Sequence, residues 1–189
     1  MSDQVWPTLA SEDGRRSFSC FPAAILGFIF NDASEVLLLS HPSRRGAWEV
    51  VNGAVEAGES PVDALVREAA EEAGTDLRIR PVACVHAFLF RYDAVVTSML
   101  SIAYAAHYLG GNVVPGSDMA SSAFRWASLS DIESGDIRVV VPAQAWLFRR
   151  AATVFAVFKE ADVELEPWAS LTSAEVSGQL RSIVDETGP

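Results

Sequence analysis

One stretch limits what this chain can fold into more than any other. Residues 53–75 read GAVEAGESPVDALVREAAEEAGT, a loop bearing glycines followed by an acidic helix. Ser60 is placed to cap that helix, Pro61 suits its first position, and Asp63 completes a capping-box pattern. Gly74 offers a left-handed stop. Val62, Leu65, Val66, Ala69 and Ala73 recur at helical spacing, so this face is expected to pack on a sheet. At about 100° per residue, Glu68, Glu71 and Glu72 fall within roughly a 100° arc away from that stripe. Like charges so placed repel one another, by about 0.2–0.5 kcal/mol per pair in an isolated helix. Arg67 can reach Glu71 or swing back toward Glu59, but one guanidinium does not neutralise three acids. Hard divalent cations do, because oxygen ligands suit magnesium and manganese. The reading is a carboxylate-bound metal site, with Mg²⁺ the first choice and Mn²⁺ the second.

The same stretch resembles the Nudix box, G-x5-E-x7-R-E-U-x-E-E-x-G-U, where U is a bulky aliphatic residue. Gly53, Glu59, Arg67, Glu68, Glu71, Glu72 and Gly74 match every fixed position at the required spacing. Ala69 and Thr75 depart at the two aliphatic positions, which concern packing rather than chemistry. Upstream, the family commonly reads Trp-x-x-Pro-Gly-Gly. Here Trp48 and Gly53 are kept, but Val51-Asn52 replaces the Pro-Gly pair, so a different loop path is expected. The resemblance covers roughly residues 20–158. It implies an α/β fold: an α/β/α sandwich with a mixed central β-sheet and the box helix on one face.

The formal net charge of −11 argues against a general nucleic-acid surface, which is normally basic. It would also repel a phosphate-bearing substrate, unless bound cations and local arginines reverse the sign at the site. No run approaches the 18 or more apolar residues of a membrane span, and the first residues lack the basic region of a signal peptide. Cys20 and Cys84 have no metal-ligand spacing and read as reduced thiols of a cytoplasmic protein.

Along the chain, residues 1–17 carry little pattern beyond a turn at 11–14. Residues 23–30 and 36–39 are expected to form a hairpin across the turn 31–34. Residues 48–51 return to the box as a short strand. Residues 78–92 and 95–109 read as a long antiparallel pair turning at Asp93, and residues 124–126 as a short strand. Ser130-Asp131-Ile132-Glu133 carries a capping-box pattern. Pro142 opens a helix expected to reach Lys159, with Trp146, Phe148, Ala152, Phe155 and Ala156 packing. A last amphipathic helix begins near Thr172 and carries Val176, Leu180, Ile183 and Val184. The chain divides into an N-terminal extension (1–18), a Nudix domain (19–160) and a C-terminal extension (161–189).

The resemblance implies metal-dependent hydrolysis of a pyrophosphate bond in a nucleoside diphosphate linked to another group. A nucleotide sugar, an ADP-ribose-like compound, a dinucleoside polyphosphate or a nucleoside triphosphate would qualify. Glu68, Glu71 and Glu72 match the family's metal-binding positions, and Gly53 the glycine whose carbonyl joins them. Glu59 matches an outer ligand or helix-positioning residue, and Arg67 the arginine that orients the acids. Asp118 is the favoured general base, ahead of Asp131, Glu133 and the box glutamates themselves. Arg44 and Arg45, in the loop before the box, are candidates to hold phosphate. Trp48 is expected to pack beside the box helix, and His86 and His107 to be core or edge residues. The alternative is a catalytically inactive Nudix-fold module that binds a nucleotide. Homodimerisation is a further expectation, because many relatives pair.

Overall fold

The computed structural model describes residues 8–40, 46–91, 98–116, 119–140 and 144–160. Arg44, Arg45, Asp93, Asp118, Pro142 and the expected C-terminal helix lie outside them.

Alternation along one strand sets up two cores. Strand β3 (Ala23–Phe30) is apolar throughout, and its residues point alternately to the two faces of the sheet. Leu26, Phe28 and Phe30 join a cluster with Leu147, Phe148, Ala151 and Phe155 of helix α3 (Ala145–Phe158). Ile25 and Ile29 join a second cluster with Ala64, Leu65, Ala69 and Ala73 of the box helix. The sheet is therefore buried on both sides, which is why β3 reads as an uninterrupted apolar run. Phe28 meets Phe148 edge to face at 4.9 Å between centroids, and Phe30 stacks on Phe155 at 4.8 Å.

The sheet is mixed. β3 runs parallel to β8 (Ser98–Gly110) along its whole length. It runs antiparallel to β6 (Val51–Ala54) and meets β4 (Val36–Ser40) at Phe30 and Val36. β7 (Arg78–Arg91) extends the sheet beyond β8 as the expected long antiparallel partner. On the other side, β5 (Trp48–Glu49) and β9 (Phe124–Ala127) pair with β4. Helices on both faces complete the α/β/α sandwich.

Four local expectations are corrected. A hairpin of β1 (Thr8–Ala10) and β2 (Ser17–Ser19) forms its own small sheet around the expected turn at 11–14, where no strands were read. All six of its residues are exposed, so no burial alternation marks it in sequence. The short helix α2 (Leu129–Glu133) is capped by Ser128 with Asp131, two residues before the Ser130 and Glu133 pattern. Helix α3 starts at Ala145, with Gln144 at its N-cap. It buries Leu147 and Ala151, whereas Trp146 and Ala156 are exposed.

Candidate active site

The box begins at the end of β6, passes through a tight loop and enters α1 (Pro61–Glu68). Ser60 is extended (φ −80°, ψ 155°) and its hydroxyl accepts the Asp63 N–H at 3.1 Å, while Pro61 occupies the first turn. The cap is the one the sequence called for. The helix then widens into one π-helical turn over Ala69–Ala73. Such turns are costly and concentrate at functional sites.

The buried stripe is rotated from the expected one. Ala64 and Leu65 are buried in α1, while Val66 is 45% exposed. Glu72, expected to stand away from the apolar face, is only 6% exposed and lies with Ala69 and Ala73 on the buried side. On an ideal helix Glu72 falls between Leu65 and Glu68 in projection, so its burial follows from the helix leaning toward Ala64 rather than Val66. Gly74 ends the helix at φ 130°, ψ 139°, an extended glycine conformation rather than the left-handed helical one expected. A Cβ there would press on Asn112 O and Val114 N at 3.0 Å. This close approach lets segment 112–116 cross the helix end: Val114 N–H donates to Ala73 O (2.7 Å) and Gly116 N–H to Glu72 O (3.2 Å). Carbonyls left unpaired by the last turn are thereby satisfied.

Arg67 is the hub. Its Nε and Nη2 fork onto Glu59 at 2.8 and 3.0 Å. Nη1 reaches Glu68 at 2.8 Å and Glu71 at 3.2 Å, and Nη2 also donates to Ala54 O at 2.9 Å. The sequence offered Arg67 a choice between Glu59 and Glu71; it takes both and adds Glu68. A planar, five-donor guanidinium can do this, and an ammonium cannot. The hydrogen bond from Arg67 holds the Glu59 carboxyl below its ordinary pKa, and the bonds to Glu59 and Glu68 push the guanidinium's pKa up. Glu59 also accepts the Glu56 N–H at 3.0 Å, which closes the loop on itself.

Gly53 and Asn52 supply the strand side. The Glu68 carboxylate occupies the space that a side chain at Gly53 would fill. Glu72 Oε2 accepts the backbone N–H of Asn52 at 3.0 Å. Gly53, Glu59, Arg67, Glu68, Glu71 and Glu72 are thus brought together by β6, the loop and the helix.

The donor set is all oxygen and strongly negative, three carboxylates around one guanidinium and a fourth, Glu72, at the β6 edge, which suits a hard divalent cation. Its present arrangement is centred on Arg67: among the described residues no three His, Cys, Asp or Glu side chains are grouped to hold an ion. Glu68, Glu71 and Glu72 are the groups that could hold one, with Glu59 outside them, whereas the Gly53 carbonyl expected to join them lies at a ladder position whose polar groups face Ile25 of β3.

Other candidates fall elsewhere. Asp131 is spent on the α2 cap and Glu133 pairs with Arg149 at 2.6 Å, so both have structural partners. Trp48 packs on the α3-side core rather than beside the box helix, with the Arg125 guanidinium 5.3 Å over its ring. His86 stacks on Phe88, while His107 meets Phe155 and bonds Asp32 at 2.8 Å, as expected of core and edge residues.

Two recesses flank the box. One, of about 510 Å³, lies at the helix end between Glu71, Gly74, Asp76 and Asn112–Gly116. The other, of about 150 Å³, opens beside Asn52 and Gly53 and is lined by Ala54, Phe90, Met99 and Ser101 among others. The sequence carried no sign of the second beyond the unusual Asn52, because its walls come from four separate strands.

A family model, the NUDIX domain, matches residues 21–150. The chain belongs to the Nudix family. It is 32% identical over 102 residues to the uncharacterized Nudix hydrolase YvcI of Bacillus subtilis (strain 168), a match covering 53% of this chain and 62% of that protein. It is 29% identical over 119 residues to putative nudix hydrolase 1 of Caenorhabditis elegans, covering 62% of this chain and 31% of the worm protein. The matches thus span less than two thirds of either relative. A NUDIX hydrolase from Nitrosomonas europaea shares the fold at a TM-score of 0.59 and 17% identity, over 71% of this chain and 90% of that one.

Proposed function

We propose that this chain is a pyrophosphohydrolase that cleaves a phosphoanhydride bond in a nucleoside diphosphate derivative, with Mg²⁺ or Mn²⁺ held by Glu68, Glu71 and Glu72. The observation that carries this reading is the Arg67 hub, which gathers Glu59, Glu68 and Glu71 beside Gly53 while Glu72 is held at the β6 edge. A bound cation would neutralise phosphate charge and lower the pKa of the attacking water. The chain's own part is to set the acids in place. Arg67 orients them, Glu59 anchors Arg67 to the loop, and the Glu68–Gly53 contact fixes the helix against β6.

Asp118 is the proposed base. Its neighbours support it: Gly116 N–H is tied to Glu72 O, and Met119, which is buried, donates its N–H to Gly116 O at 2.9 Å. Arg44 and Arg45 are proposed to hold phosphate. The same reading takes residues 19–160 as the hydrolase domain, with extensions on either side, acting as a homodimer. The same reading takes the protein as cytoplasmic, which its two free thiols support. No described helix is long and apolar enough to cross a membrane.

A panel of nucleotide sugars, ADP-ribose, dinucleoside polyphosphates and nucleoside triphosphates, assayed for product with and without Mg²⁺, tests the proposal. Turnover that needs the cation is expected. Binding of panel members without turnover would favour the inactive nucleotide-binding module.

A further inference from the structure

The residue that departs most from the family's usual approach to the box is also the one that touches Glu72. Asn52 lies on β6 opposite Leu26 of β3, in a ladder whose flanking bond is Val55 N–H to Ala23 O at 2.9 Å. Donors alternate in direction along such a ladder. That alternation turns the Asn52 N–H away from β3, toward the edge where β6 has no other described strand partner. The Glu72 carboxylate takes that N–H at 3.0 Å. The Asn52 side chain bonds back to its own strand, donating from Nδ2 to Val50 O at 3.0 Å. It also lines the 150 Å³ recess together with Ser101, Phe90 and Met99.

A glycine at this position would supply the same backbone N–H but no brace. Here the side-chain amide ties Asn52 back to Val50, the residue just before β6, and braces the start of the strand that presents the N–H. Glu72 is buried, and a buried carboxylate depends on each donor it has.

We propose that Asn52 is a positioning residue: its side-chain bond to Val50 O fixes the backbone donor that holds the Glu72 carboxylate, and so joins the recess beside Gly53 to the acids of the box helix. This rests on the hydrolase reading above. Because Asn52 acts through Glu72, its loss should matter only while Glu72 is intact.

A double-mutant cycle tests it, with a substrate the wild-type chain turns over in Mg²⁺. Asn52→Ala should lower kcat about tenfold with KM within about twofold, the pattern of a lost transition-state interaction. In a Glu72→Gln background, Asn52→Ala should lower kcat by less than about twofold, because coupled positions are not additive. Asn52→Asp keeps the side chain's size but removes the donor to Val50, and should repeat the cycle if the alanine variant folds poorly. Thermal unfolding of each variant verifies folding. An Asn52→Ala or Asn52→Asp protein as active as wild type would overturn the proposal. So would a full tenfold loss in the Glu72→Gln background, which is what a general structural defect produces. Absence of turnover by the wild-type chain on every panel member would instead defeat the hydrolase reading, before Asn52 enters.

Discussion

Arg67 and Gly53 show how much depends on single side chains here. Arg67 makes five hydrogen bonds, to three carboxylates and one carbonyl. Lysine has the charge but not the fork, so Arg67→Lys should cut turnover by about 10- to 100-fold, in line with losses of residues that orient metal ligands. Steady-state assays in Mg²⁺ measure this; activity equal to wild type would remove the hub from the account. At Gly53 a methyl group would displace the Glu68 carboxylate. Gly53→Ala should therefore cost about 10²-fold in kcat, since small misplacements near reacting groups are expensive. The hub also has a pH signature. The Glu59 carboxyl titrates below its ordinary 4.5 because Arg67 hydrogen-bonds its ionised form. Its contribution to stability is full above that value and is lost as pH falls through the lowered one. Thermal melts of the cation-free protein should show an acid-side loss that is shallower in Arg67→Gln; identical profiles would contradict the assignment.

At the level of the element, the box helix was legible because caps, spacing and charges agree. Ser60, Pro61 and Asp63 set its start from local chemistry alone, and the structure follows them. Its buried face was less legible. Val66 looks like a packing residue and Glu72 like a surface one, yet Val66 is exposed and Glu72 buried. Apolar spacing does not register the Asn52 N–H that takes up Glu72's charge, because that donor belongs to a strand some twenty residues earlier. The helix stop was read correctly as glycine but for another conformation, since the tight approach of Asn112 and Val114 is a tertiary demand. Gly74→Ala should accordingly destabilise the protein by about 1–3 kcal/mol, the cost of forcing a non-glycine residue into such backbone. Chemical denaturation measures it; an unchanged midpoint would mean that segment 112–116 is not seated on the helix end.

Across the whole molecule, long strands were easy to read and short ones were not. β3, β7 and β8 announce themselves by length and β-forming residues, and they carry most of the sheet. The three-residue strands β1 and β2 do not, because every residue in them is exposed. The parallel pairing of β3 with β8, which makes the sheet mixed, joins residues far apart in sequence and was expected only through the family resemblance. The proposed homodimer is a claim at this scale: light scattering should return twice the 20.3 kDa chain mass, and a monomer mass at high concentration would contradict it.

In the candidate site, by contrast, the box residues were legible from the motif and their geometry only in part, while Asp118, Arg44 and Arg45 lie outside the described residues. Glu59, Glu68 and Glu71 converge on the Arg67 guanidinium rather than on an open cation cage, with Gly53 against Glu68 and Glu72 held by Asn52. What these acids are for is decided by comparing wild type with Glu72→Gln over the nucleotide panel, each with and without Mg²⁺. Cation-dependent product release by the wild-type chain is expected, with a loss of about 10²-fold or more in the variant. Equal turnover by the two proteins, or turnover indifferent to the cation, would contradict it.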